Sequence, residues 1–144
     1  MQSEVLYFIS RQHIAAATIQ LPDKSLYPAV MHVAHRDAPF SLLFLTDKTS
    51  KKLSSLQFNN PIPAGVVLGF NEQEFTTLQM QGIVKEVPVN QREELETIYF
   101  LKFPWKQKLA GDNTSLILIE FIPHWWKYTD YATSPRTVLS SASM

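Results

Sequence analysis

Six consecutive residues hold the densest chemistry in the chain: Asp47-Lys48-Thr49-Ser50-Lys51-Lys52, preceded by Thr46. Three of the nine lysines fall within five positions there, interleaved with hydroxyl side chains. The stretch reads as a strand end, a polar turn and a short helix that stops at Asn59-Asn60-Pro61. Lys51 and Lys52 then sit in the first turn of that helix, where the macrodipole disfavours cations. An anion would compensate: a phosphate held by backbone N–H groups, lysines and hydroxyls. Composition alone fits a solvated lysine cluster about equally well; the helix-start position favours the anion.

Other reactive side chains form no such group. His32 and His35 lie three apart, on opposite faces of a strand, so they cannot share a metal. His13 and His124 are isolated. The chain has no cysteine, so thiolate metal sites, disulfides and Cys nucleophiles are excluded. No HExxH, GxSxG or paired helical carboxylates occur, so neither a metal site nor a hydrolase is indicated. Gln79 and Gln81 read as a polar stripe on one strand face. Trp125 and Trp126, being adjacent, face opposite ways and are more simply packing residues. Lys106 and Lys108 beside Trp105 read as a solvated loop.

The 144 residues suggest one domain, large enough to bury its own core. We place it at residues 1–132, with a flexible Ser/Thr-rich tail over 133–144. Thirteen basic residues balance thirteen acidic ones, which argues against nucleic acid or an anionic membrane as partner. No stretch approaches the length of a membrane span, and the opening MQSEVLYFISRQH lacks the basic and apolar regions of a signal peptide. The lack of cysteine is compatible with a reducing cytoplasm, and a cytoplasmic location is the expectation.

A helix is predicted over Ser3–Gln12, capped by Ser3. Strands follow over His13–Leu21, Leu26–His35, Phe40–Thr46, Ala64–Phe70 and Phe75–Val87, joined by turns rich in Pro, Asp and Asn. Gly82 marks a bulge or a close backbone approach. Asn90-Gln91-Arg92-Glu93 reads as a capping box opening a helix that buries Leu95, Ile98, Tyr99 and Phe103. Phe103-Pro104-Trp105 stops it, Lys106–Asn113 reads as a polar loop, and a strand resumes at Thr114 and bends through Pro123 to Asp130. Hairpin-linked strands favour a mostly β fold, an antiparallel barrel with peripheral helices. Several strands are apolar on both faces, which calls for a second covering surface; a dimer interface would supply one.

Arg11-Gln12-His13, Leu26-Tyr27-Pro28-Ala29, Asp47-Lys48-Thr49, Thr77-Leu78-Gln79-Met80-Gln81-Gly82, Phe103-Pro104 and Lys127-Tyr128-Thr129-Asp130 follow one another in an order and spacing that resembles a known family. It is the FMN-binding split-barrel superfamily of pyridoxamine 5′-phosphate oxidase. The likeness covers Gln12 to Asp130 and is greatest to a small bacterial subgroup of oxidase-like proteins. It implies a six-stranded antiparallel split β-barrel and a homodimer with two FMN sites at its interface. In such proteins a strand-end Thr and a Ser-Arg-Lys turn hold the FMN phosphate; Thr46 and Ser50-Lys51-Lys52 look like that pattern, with lysine keeping the charge but not the fork of arginine. The family also implies that Val30, Met31 and His32 lie along the isoalloxazine ring and that Gln79 reaches the cofactor, often from the other subunit. The chain lacks the C-terminal Arg and His that bind the substrate phosphate in the true oxidase, so vitamin B6 oxidation is not implied.

The implied function is that of an FMN-binding flavoprotein, an oxidoreductase on an unknown small molecule. No side chain reads as a catalytic acid or base, and His32 is the nearest candidate beside the ring. One alternative is a non-enzymatic split-barrel module that binds haem or a deazaflavin or stores flavin. Another is a dimeric domain whose site has decayed.

Overall fold

Period-two burial runs through most of the strands and winds them into one curled antiparallel sheet. In a computed structural model, residues 1–58 and 61–141 are described, with the backbone alone for 55–58. The strands are β1 (Ile14–Gln20), β2 (Leu26–His32), β3 (Ala34–Arg36), β4 (Ser41–Asp47), β5 (Ile62–Leu68), β6 (Thr76–Glu86), β7 (Leu116–Asp130) and β8 (Thr137–Ser140). The helices are α1 (Ser3–Ser10), α2 (Arg92–Lys102) and α3 (Pro104–Asp112), with 3-10 helices at Lys51–Phe58 and Val89–Gln91. The sheet runs β2-β1-β5-β6-β7-β4-β3, and β8 adds to β7. Six long strands thus form the expected split barrel, with β3 and β8 as short additions.

Leu78, Met80 and Val84 of β6 point into the barrel, against Val66, Leu68, Phe121, Trp126 and Tyr128. Gln79 and Gln81 point out. The ladder between β6 and β7 slips at Gln81/Gly82, opposite Pro123. A Cβ on Gly82 would run into the Ile122 carbonyl oxygen and stand 2.7 Å from Pro123 Cα, so the bulge requires glycine. Phe8 of α1 plugs one end of the barrel, edge-on to Tyr128 at 5.6 Å.

β4 is apolar on both faces because both are covered within the chain. Leu42 and Phe44 face the barrel, while Leu43 faces Leu95, Tyr99 and Phe103 of the α2 region. No second subunit is needed to explain this strand. Its one acidic neighbour, Glu120 on β7, is answered by Arg36 of β3 at 2.7 Å, with side-chain exposures of 1% and 13%.

Five local expectations are corrected. Ser3 does not cap α1: it is the first helical residue, Gln2 holds the cap position, and no side chain caps the helix. Leu26–His35 is not one strand: the chain changes partners at Val33, so β2 pairs with β1 and β3 with β4. No capping box forms at Asn90–Glu93. A 3-10 turn precedes α2, and the Gln91 side chain accepts from Arg36 Nη1 at 3.4 Å. Lys106–Asn113 is mostly helical, because Pro104 takes the first position of α3, where its missing N–H is harmless. Part of the expected flexible tail lies in the sheet: Thr137–Ser140 pairs with Lys127–Asp130. The expected stop at Asn59-Asn60 and the last residues of the tail, 142–144, lie outside the described residues.

Replacing Gly82 by Ala should lower stability by roughly 1–3 kcal/mol, the usual cost of forcing an added methyl into a packed site. Equilibrium urea denaturation of the variant against the parent measures it.

Candidate functional site

The barrel closes at one end and opens at the other. Ala34↔Leu43 and Arg36↔Ser41 are laddered partners of β3 and β4. Continued along the strands, that register runs Met31 toward Thr46, yet β2 is laddered to β1 instead. β2 still lies against β4 without pairing to it. The residues read as a phosphate turn stand at the mouth of this wedge.

Thr46 is buried on the barrel side of β4, in line with Leu42 and Phe44. Asp47 then turns the chain: its Oδ1 accepts the Thr49 backbone N–H at 2.8 Å and the Thr49 hydroxyl at 2.7 Å. Those two bonds, the hydroxyl first, hold the Asp47 carboxyl below its usual range, with smaller contributions from Ser115 and Lys52. The Ser50 backbone N–H returns to Asp47 O at 3.1 Å, and Leu53 N–H donates to Ser50 O at 3.1 Å, which starts the 3-10 helix. Leu53 anchors that helix in the barrel core.

Two side chains at this start are electrically incomplete. Ser50 Oγ is buried and has no hydrogen-bond partner. Lys52 is partly buried, which lowers its pKa, and Asp47 only partly offsets this. Lys51 is exposed and lies near Asp23 of the β1–β2 turn. The first turn contains no acidic residue. A hydroxyl without an acceptor and two cations at a helix start fit a phosphate; the nearby Asp47 opposes one, though Thr49 occupies its Oδ1.

The remaining expected residues divide between the two faces of the sheet. Val30, Ala16, Val67 and Gln79 are successive cross-strand partners on the outer face, so Val30 and Gln79 share it. They are three strands apart, about 14 Å at the ordinary strand spacing, and do not meet within one chain. His32 lies on the same face, whereas Met31 turns inward and packs against the barrel core. His32 stands edge-on to Phe103 at 5.2 Å and to Trp105 at 5.5 Å. Burial first, then the charges of Lys106 and His13, push its pKa down. His35, by contrast, is held by Asp37 at 2.9 Å.

Sequence reasoning missed the surroundings of His32. Lys106 belongs to α3 and rests among aromatic rings, 5.3 Å from Trp105, with its Nζ donating to Tyr99 Oη at 3.1 Å. The Phe-Pro-Trp-Lys order was the available signal, since proline starts helices as readily as it ends them. A cavity of about 640 Å³ between α2, α3 and β7 is floored by Leu45, on the opposite side of β4 from Thr46. None of the expected site residues lines it.

No family model matches the sequence, and no curated protein does. Solved structures do match. General stress protein 26 from Bacillus anthracis shares 19% identity over 96% of both chains, with a TM-score of 0.65. A Clostridium acetobutylicum protein related to general stress protein 26, of the pyridoxinephosphate oxidase family, shares 14% identity over 94% of this chain and 91% of that one, with a TM-score of 0.64. A haem-binding protein from Mycobacterium smegmatis shares 6% identity over 90% of this chain and 52% of that one, with a TM-score of 0.70. The chain therefore has the split-barrel fold of the pyridoxamine 5′-phosphate oxidase-like proteins, and it spans about half the length of the haem-binding one. Among the described residues, no helix is long and apolar enough to cross a membrane.

Lys102 supplies a test of the buried cations beside the site. Burial lowers its pKa from 10.5 to about 8. Between those values the unfolded chain binds more protons than the native one, so stability should rise with pH from about 8 toward 10. Tyr99 acts oppositely: burial raises it to about 12, so stability should fall once pH passes 10. Denaturation midpoints at pH 7–11 should show the rise and the fall, and Lys102→Met should flatten the rise.

Proposed function

We propose that this chain is an FMN-binding flavoprotein that works as a homodimer in oxidoreduction of a small molecule. The observation that carries the reading is the buried, partnerless Ser50 hydroxyl at a helix start whose first two residues are Lys51 and Lys52. With Thr46 at the strand end, these residues would bind the phosphate through charge-assisted hydrogen bonds. The backbone of Val30, Met31 and His32 would run along the ring. When bound, the flavin supplies the redox chemistry; the protein orients it and sets its electrostatic surroundings.

Homodimer formation is supported by the outer sheet face. Val30 is 68% exposed there, with the small or apolar residues Ala16, Gly65 and Val67 beside it. A second copy laid on this face could bring its Gln79 to the first copy's site, which one chain cannot do. The absence of cysteine is compatible with a reducing, cytoplasmic setting.

A second reading has one observation in its favour, the fold shared with the Mycobacterium smegmatis haem-binding protein. In that reading His32, which is partly exposed and free of a carboxylate partner, would be the axial ligand. A Soret band on haem addition, lost in His32→Ala, would favour it over flavin.

The purified protein should show flavin absorbance, or acquire it on adding FMN. Lys51→Ala with Lys52→Ala should weaken FMN binding by about 10- to 100-fold, from the loss of charge-assisted bonds. Unchanged affinity in that variant would remove the phosphate assignment, and a colourless protein that fails to take up FMN would remove the flavoprotein reading.

A further inference from the structure

Phe103 forms the joint between α2 and α3, and its ring is the hub of a second polar cluster. His32 and His13 stand edge-on to it, 5.2 and 5.9 Å from its centroid. Lys102 Nζ and Lys106 Nζ lie 5.6 and 5.7 Å from the same centroid. Four groups that carry or can acquire positive charge therefore surround one buried phenyl ring.

Among the described residues, no carboxylate answers them. The ion pairs among the described residues are Arg11–Glu74, His35–Asp37, Arg36–Glu120 and Arg92–Glu86, none of which includes any of the four. Lys102 donates to Gln12 O and Lys106 to Tyr99 Oη, both uncharged acceptors. Asp37, on the neighbouring turn, is engaged by His35, which itself feels the Lys102 charge. Burial pushes both lysines down, and Lys106 and His13 help to push His32 down. α3 begins where α2 ends, so the positive end of one helix dipole meets the negative end of the other and neither supplies a full counter-charge. Trp105, 59% exposed, borders the cluster with an open ring.

Partly buried cations gathered without counter-charge are costly, and an incoming anion offsets that cost. We propose that His32 and Lys106, which both border Trp105, with His13 at the margin, bind the carboxylate or phosphate of a small organic substrate. Trp105 is the platform for the substrate's planar or apolar part. His32 ends the strand assigned to the flavin ring, so naming this molecule a substrate rests on the flavoprotein reading. The anion site itself rests on the Phe103 cluster alone.

The test is imidazole NMR of His32 in the flavin-free full chain, titrated with inorganic phosphate in one arm and benzoate in the other. A saturable shift in His32, with its titration moved to higher pH, is expected in at least one arm. The arm that saturates at lower concentration tells phosphate from carboxylate. Lys106→Gln should weaken that binding about tenfold or more, the loss of one charge-assisted contact, while Lys108→Gln leaves it unchanged. Should Lys106→Gln lose its fold, His32→Gln read through the Trp105 indole signal gives the same comparison. Lys51→Ala with Lys52→Ala should leave the His32 response intact while weakening FMN, so the two sites can fail separately. No saturable response in either arm, or equal binding by the Lys106 and Lys108 variants, overturns the proposal.

Discussion

Val33 decides where this barrel opens. Its backbone N–H donates to His13 O at 3.0 Å, and its side chain is fully buried in the barrel core. Before it, β2 follows β1; after it, β3 follows β4. A continuous strand would have zipped β2 to β4 and closed the mouth. The change of partner leaves a wedge there, and the Thr46–Lys52 turn stands at its edge.

Two apolar cores hold the wedge in shape. The barrel core packs Phe8, Leu42, Phe44, Phe121 and Trp126, while a second core seats α2 on the outer face of β4 through Leu95, Tyr99 and Phe103. Phe103 belongs to the second core and touches His32 of β2 as well. It therefore links the α2–α3 joint to the strand beside the wedge. The bulge at Gly82 and Pro123 bends the long β6–β7 ladder, and the curled sheet brings β2 round to β4.

Much of this was legible in the sequence, for reasons that are local. Alternation along Phe75–Val87 gave β6 and its faces, Gly82 announced the bulge, and Leu95, Ile98, Tyr99 and Phe103 fell at helical spacing. Lys51 and Lys52 at a helix start were visible because charge and chain position suffice to notice them. What was not legible depends on distant partners. Glu120 looks anomalous in an apolar strand until Arg36, remote in sequence, is placed against it at 2.7 Å. Gln91 forgoes a cap because the same arginine draws its side chain. β8 forms because β7 offers it an open edge, which no property of Thr137–Ser140 reveals. Lys106 is a local exception: Tyr99, Phe103 and Trp105 lie within seven residues of it, but Pro104 reads as a helix stop when it in fact starts α3.

We propose that the turn from Thr46 to Lys52 recognises a phosphate ester rather than a ring. Ser50 supplies the unpaired hydroxyl and Lys51 and Lys52 the charge. Riboflavin carries the same ring as FMN without the phosphate, so comparing the two isolates that contribution. Titration calorimetry of the flavin-free protein should give FMN an affinity about 100-fold or more above that of riboflavin, as expected for several charge-assisted bonds. That preference should collapse when Lys51 and Lys52 are replaced by alanine. Equal affinities for FMN and riboflavin in the unaltered protein would contradict the account.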